Sequence, residues 1–192
     1  TRAALAGGSS ISPYLGAFKT DLFLSASEED VQEAINSNIA AGIIYTQHLP
    51  NVEPEKEISQ IRIAFDGDAV LFSDGSERIF KEQGLEAFQE NERKNANNPL
   101  PEGPFAKLLK TISALQKDYT KEQAPIRTSL VTARNAPAHE RVIRTLRAWN
   151  VRIDEAFFLG GMAKQDVLKA FGAHIFFDDQ ALHTDPASEV VP

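Results

Sequence analysis

IRIAFDGDAVLFSD, residues 61–74, is an apolar strand-like run that ends in two aspartates separated by one glycine. Five residues from Ile61 to Phe65 suit a buried strand, and Asp66 closes it. Two later runs end the same way. TSLV (128–131) stops at Thr132, and HIFF (174–177) stops at Asp178 and Asp179. In open parallel sheets ligands gather at the carboxyl ends of the strands, so residues remote in sequence converge there. Lys164 joins the set from the start of a helix that follows another strand, AFFL (156–159).

The stretches between these strands fix the class. Asp74 and Glu77 form a capping pair for a helix from about Glu77 to Arg93. NANNPLPEGP (95–104) breaks the pattern, and Pro104 then opens a helix with Phe105, Leu108, Leu109, Ile112 and Leu115 on one face. Pro137 opens a third, with Val142, Ile143, Leu146 and Trp149 as its apolar stripe. A fourth carries Val167, Leu168 and Phe171 and stops at Gly172. Alternating strands and helices imply an α/β, Rossmann-like parallel sheet with helices on both faces.

Upstream, LFLS (22–25) and AGIIY (41–45) read as strands around a helix that Ser27 caps, with Asp30 three residues on and Val31, Ala34 and Ile35 inward. QHLPNVEPEKE (47–57) reads as a linker. This gives two parts, residues 1–50 and 58–192. The first contains an echo of the second. At an offset of 153, residues 7–26 share six identities with 160–179: Gly7/Gly160, Gly8/Gly161, Leu15/Leu168, Ala17/Ala170, Phe18/Phe171 and Phe23/Phe176. Unrelated segments of this length share roughly one, which points to a duplicated unit, although two glycine–helix–strand units also look alike for purely physical reasons. Lys164, Asp178 and Asp179 face Ile11, Ser25 and Ala26 in the first copy, so the charged residues are the ones that differ. Residues 1–50 are thus expected to be scaffold, with Leu15, Ala17, Phe18 and Phe23 buried.

Composition limits the function. The 192 residues are 42% apolar and 24% charged, an ordinary globular balance. Twenty basic against 27 acidic residues give a net charge of −7, which argues against nucleic-acid binding and leaves room for a small phosphorylated substrate. With no cysteine, disulfides, thiolate metal sites and thiol nucleophiles are excluded, which fits a reducing cytoplasm. No apolar run approaches the ~20 residues of a membrane span. The chain starts without Met, and we expect it to be the later part of a longer duplicated protein.

The gathered set suits phosphoryl transfer. Magnesium takes oxygen ligands and usually only one or two carboxylates. An aspartate can attack phosphorus, and a second can move the proton. Lysine and hydroxyl donors stabilise the equatorial oxygens. Gly67 lets the backbone turn closely around the phosphate. A phosphoacceptor receiver-type module uses similar parts, but there the acidic pair precedes the phosphoacceptor, whereas here the double Asp comes last. A catalytically silent nucleotide-binding domain is a third reading, opposed by intact Asp66, Asp68 and Lys164.

In order and spacing, FDGDAVL (65–71), LVT (130–132), Lys164 and FFDD (176–179) resemble the four motifs of the haloacid dehalogenase superfamily of phosphatases. FDGDAVLFSD (65–74), PIRTSLVTAR (125–134), TLRAWN (145–150) and HIFFDDQ with His183 resemble, more narrowly, the cytosolic 5′-nucleotidase I family, as does GGSSISPYLGAFKTDLFLSA (7–26) with the helix after it. The resemblance covers nearly the whole chain, but family members extend further before the position of Gly7. It implies hydrolysis of nucleoside 5′-monophosphates, typically AMP, with magnesium. Asp66 is then the implied nucleophile and Asp68 the acid/base. Thr132 and Lys164 complete the catalytic set, and Gly67, Thr132, Ala133, Arg134 and Lys164 are the substrate-binding candidates. The metal candidates are Asp66, Asp68 through its carbonyl, Asp178 and Asp179; of the last two, Asp178 is favoured because it follows the strand immediately. Arg134 is equally suited to contact phosphate or base or to pair with a surface acid. Phe72, His139 and His183 are weaker candidates for the base. The segment of about 73–124 is expected to be a small helical cap or flap. The sequence also leaves room for a homo-oligomer and a cytoplasmic setting.

Overall fold

A computed structural model describes residues 3, 5–44 and 58–191, in two compact units divided between Gln47 and His48. Tyr45 and the linker at 47–57 lie outside the described residues.

The first unit contains α1 (Ser12–Leu15), β1 (Phe23–Ser25), α2 (Glu28–Asn36) and β2 (Ala41–Ile43). The two strands pair in parallel, Phe23 opposite Ala41. Ser27 caps α2 as expected, its Oγ accepting from the Asp30 N–H at 3.3 Å. Leu15, Val31, Ala34 and Ala41 form a small core, with Ile11, Phe23, Ile35 and Ile39 against it.

The backbone of this unit repeats that of residues 160–180 at its turns, although the helix stops at Leu15 where the later one runs on to Phe171. Gly7 and Gly160 have φ of 59° and 61°, Gly8 and Gly161 88° and 89°, and Lys19 and Gly172 54° and 68°. The helix-ending bond from Thr20 N–H to the Leu15 carbonyl has its counterpart from Ala173 to Leu168. In the first copy the Ser27 N–H donates to Ser25 Oγ at 3.1 Å; in the second the Gln180 N–H donates to Asp178 Oδ1 at 2.9 Å. Ser25 thus keeps the turn made by Asp178 but presents a hydroxyl in place of a carboxylate.

Burial follows the repeat less closely than expected. Leu15 and Leu168 are buried and Phe23 and Phe176 half-buried, but Ala17 and Ala170 are both exposed. Each alanine lies two residues beyond its leucine, about 200° around the helix. Phe18 is 37% exposed, whereas its twin Phe171 is 6% exposed. Phe171 packs with Ala64 and Val131 of a larger sheet and beneath the Arg127 guanidinium.

That sheet has four parallel strands: β3 (Ile61–Phe65), β4 (Ile126–Thr132), β5 (Glu155–Phe158) and β6 (Ile175–Phe177), in the order β5-β4-β3-β6. Pairing sets Phe65 opposite Leu130 and Phe177, which brings three strand ends level. Alternation then sends side chains to two faces. On one, Ala64 and Val131 meet Leu168 and Phe171 of α6 (Gln165–Phe171) and Ala187 of α7 (Ala181–Ala187). On the other, Phe65 and Phe177 stack at 5.6 Å, and Phe105 lies 4.7 Å from Phe177, just before α4 (Ala106–Gln116). Helix α5 (His139–Ala148) starts two residues after Pro137.

The two helices of the 73–124 segment differ in role. Helix α4 buries Leu108, Leu109 and Ile112, as its spacing predicts, but Leu115, expected on the same face, is 60% exposed in the last turn. Helix α3 (Gly75–Lys94) is mainly polar, buries only Ser76, Phe88 and Glu92, and breaks at Gly84, where φ is 83°. The single helix expected from Glu77 to Arg93 is therefore two segments meeting at a glycine in a conformation that other residues adopt only with strain. Asp74 stands at the N-cap position but makes no side-chain cap.

Gly103 fastens this segment to the loop after Asp66. Its N–H donates to the Leu71 carbonyl at 2.9 Å, with Phe105 to Val70 and Ser73 to Pro101 on either side. A Cβ at Gly103 would stand 2.5 Å from the carbonyl oxygens of both Val70 and Phe72. Gly103→Ala is therefore expected to lose about 1–3 kcal/mol in a urea titration, as overpacking against rigid backbone does. An unchanged midpoint would mean that the loop is not held this way.

Candidate active site

Each strand end delivers one group. Asp66 leaves β3 with its N–H bonded to the Phe177 carbonyl at 2.8 Å, and the residue is 5% exposed. Thr132 ends β4, buried, with Oγ1 accepting from the Arg134 N–H at 3.3 Å. A Cβ on Gly67 would lie 3.2 Å from that hydroxyl, so the glycine permits the close approach of the two loops. Asp178 and Asp179 follow β6. Lys164 stands immediately before α6, 3% exposed, and reaches over the strand ends.

Its ammonium joins the set, 2.7 Å from Asp66 Oδ1 and 2.6 Å from Asp178 Oδ2. Asp178 also accepts from the Gln180 N–H at 2.9 Å, and His183 Nδ1 stands 3.0 Å from its Oδ2. Carboxylate oxygens of Asp66, Asp178 and Asp179 lie within 4.8 Å of one another. Burial, with the charge of Asp178 adding to it, pushes the Asp66 carboxyl up to about 7 even though Lys164 pulls it down. Asp179 is pushed up to about 6, first by desolvation and then by Glu77 and Asp178. The cluster therefore holds more negative charge than one lysine neutralises. An all-oxygen donor set with that deficit fits a hard divalent cation.

Asp68 points elsewhere. Both its oxygens accept from Arg134, from Nε at 2.7 Å and Nη2 at 2.6 Å, while Arg134 Nη1 donates to Glu92 at 2.5 Å. Ala133 is exposed in the loop between Thr132 and Arg134. His183 lies beside Asp178, His139 packs edge-on to Phe158 at 5.6 Å, and Phe72 is fully buried 5.5 Å from Trp149. Sequence reasoning missed Glu77, Glu92 and Arg141. Glu77 accepts from Gln180 at 3.0 Å beside the acidic pair, and Arg141 donates to Glu92 at 2.9 Å. Nothing in a polar helix separates a buried glutamate from its solvated neighbours, so no sequence signal was there to read.

Fold and site define a parallel α/β protein whose strand ends gather three carboxylates, a lysine and a threonine around one point. A family model described as 5′-nucleotidase matches residues 1–192, and the chain belongs to that family. Human cytosolic 5′-nucleotidase 1B is 41% identical over 198 aligned residues, 98% of this chain and 31% of that protein. The chain thus spans about a third of the length of that curated relative. No solved structure matches.

Lys164 is the cation that makes the buried acids tolerable. A carboxyl raised in the fold keeps a proton that the unfolded chain has released, so its contribution to stability falls as pH rises from about 4 to about 7. Without Lys164 that window extends upward. Lys164→Met is therefore expected to melt lower than wild type, by a deficit that grows between pH 5 and pH 8. Equal deficits at the two pH values would show that the lysine does not offset these charges.

Proposed function

We propose that the protein is a magnesium-dependent 5′-nucleotidase that hydrolyses nucleoside 5′-monophosphates of the AMP type through an aspartyl-phosphate on Asp66. The observation behind this reading is the Lys164 ammonium joined to Asp66 and Asp178 within a three-carboxylate cluster beside Thr132. Family membership and the human relative support the substrate class, and the relative's cytosolic setting supports a cytoplasmic one. No helix among the described residues is long and apolar enough to cross a membrane. The N-terminal unit, with a hydroxyl and a methyl where the second copy has two carboxylates, serves as scaffold.

The roles are those that the four motifs imply. An Asp66 carboxylate oxygen attacks phosphorus while the bond to the ribose 5′-oxygen breaks. The Asp68 carboxyl gives that oxygen its proton, then takes a proton from the water that attacks the aspartyl-phosphate and releases phosphate. Lys164 and Thr132 donate to the phosphoryl oxygens, with Gly67 and Ala133, each beside one of these strand ends, as the neighbouring backbone. Asp66, the Asp68 carbonyl and the Asp178–Asp179 pair would hold magnesium, which would supply charge neutralisation for the phosphoryl group when bound.

Phosphate release from AMP tests the reading directly. Turnover is expected with magnesium and lost after chelation, and Asp66→Asn should remove it while leaving the fold intact. Full activity after exhaustive chelation, or in folded Asp66→Asn, would end the proposal. Nucleoside 5′-monophosphates should also exceed sugar phosphates and phosphoserine by about tenfold or more in kcat/KM, a modest difference in transition-state binding. The reverse order would keep the phosphatase and discard the nucleotidase.

A further inference from the structure

Arg134 follows the phosphate-site strand by two residues, a place from which a guanidinium could reach a bound phosphate. Its contacts lead the other way. The side chain is 2% exposed, grips both oxygens of Asp68 and bonds Glu92 with its remaining terminal nitrogen. The Phe88 ring lies 5.2 Å from its central carbon. The Glu92 side chain is 0% exposed and also accepts from Arg141 at 2.9 Å, Ser76 at 2.8 Å and Asn91 at 3.0 Å. Arg141 is anchored in turn to the Asn98 carbonyl at 2.9 Å. Two acids and two guanidinium groups thus balance in a connected, mostly buried chain.

Two consequences follow. A two-point fork on a carboxylate fixes both of its torsions, which a lone lysine could not do. And Arg134 cannot swing to a phosphate without taking from the buried Glu92 the donor to its Oε2, Arg141, Ser76 and Asn91 all bonding the other oxygen, a costly loss. We infer that Arg134 is a positioning residue: it holds the Asp68 carboxylate in place and ties it through Glu92 to helix α3, and it does not bind the substrate. This rests on the reading of Asp68 as proton donor.

Leaving-group dependence tests it. A ribose oxygen needs a proton to depart, whereas nitrophenolate leaves as a stabilised anion. A displaced acid should therefore slow phosphoryl transfer from AMP and spare that from p-nitrophenyl phosphate. Each is read as kcat/KM, because the later hydrolysis of the aspartyl-phosphate, where Asp68 acts as base, is common to both substrates. For Arg134→Lys we expect kcat/KM on AMP to fall about tenfold or more, part of the 10²–10⁴ that a general acid supplies. KM for AMP should not rise more than about threefold, and kcat/KM on p-nitrophenyl phosphate should stay within about threefold. Glu92→Gln should show a smaller loss with the same selectivity, and the double variant should lose less than the product of the two, as coupled residues do. Should Arg134→Lys fail to fold, as judged by its melting transition, Glu92→Gln carries the same comparison. A large rise in KM for AMP with kcat retained would make Arg134 a substrate contact and overturn the inference, as would equal slowing of both substrates. Asp68→Asn, measured alongside, separates the two layers. If it spares p-nitrophenyl phosphate while the Arg134 and Glu92 variants do not, the positioning role alone fails. If Asp68→Asn slows both substrates equally, the proton-donor reading fails, and the inference with it.

Discussion

Lys164 lies 2.7 Å from Asp66 and 2.6 Å from Asp178, with all three side chains less than a tenth exposed. Two carboxylates this close repel each other, and neither has enough water to screen the charge. Without a cation between them, β3 and β6 could end side by side in acids only with a carboxyl kept protonated. The lysine is held in turn by its position just before α6, which the Leu168 and Phe171 contacts press against the sheet. Core packing thus sets where the ammonium sits, and the ammonium decides that two acids can share the site. Asp66 remains pushed up to about 7 all the same, so the balance is incomplete, and that incompleteness makes a second, divalent cation chemically reasonable.

A second set of charges works at the rim. Helix α3 has little apolar surface to bury, so the hydrophobic effect alone gives it no fixed seat. Ion pairs and hydrogen bonds do the seating: Glu92 to Arg134 and Arg141, Ser76 to Glu92, and Glu77 to Gln180. Buried pairs of this kind add little net stability, because desolvation offsets most of their attraction, but they tolerate few alternative arrangements. The same helix therefore touches both the acid/base candidate, through Arg134, and the acidic pair, through Gln180. Any movement of α3 would be felt at both.

The N-terminal unit keeps much of the backbone geometry of residues 160–180 without their charged side chains. Its left-handed residues, helix-ending bonds and serine-capped turn match the second copy, while the charged residues do not. Backbone geometry persists because glycine-like φ values and buried leucines are conditions for the turn and helix to form at all. Carboxylates are not such a condition. Lys19 in the left-handed position that Gly172 occupies shows that even the glycine is replaceable at a modest strain.

How much of this was legible depends on the range of the forces involved. Strands β3, β4 and β6, the stripes of α4 and α5 and the Ser27 cap were readable because alternation, helical spacing and capping are local. Asp66, Thr132, Lys164 and the acidic pair were readable as a group because parallel sheets bring strand ends together whatever the intervening sequence. The break at Gly84 and the exposure of Phe18 were not, since each depends on what packs nearby. Nor was the partner of Asp68. From the sequence Arg134 was as well suited to a phosphate as to an acid, and Glu92 was one glutamate among many. Its burial exists only once α3, the end of β4 and α5 meet, and desolvation there makes the Arg134 pairing obligatory. The sequence by itself determined the sheet, its chemical strand ends and the family. Only the tertiary structure decided which charges were removed from water, and hence which of them had to hold each other.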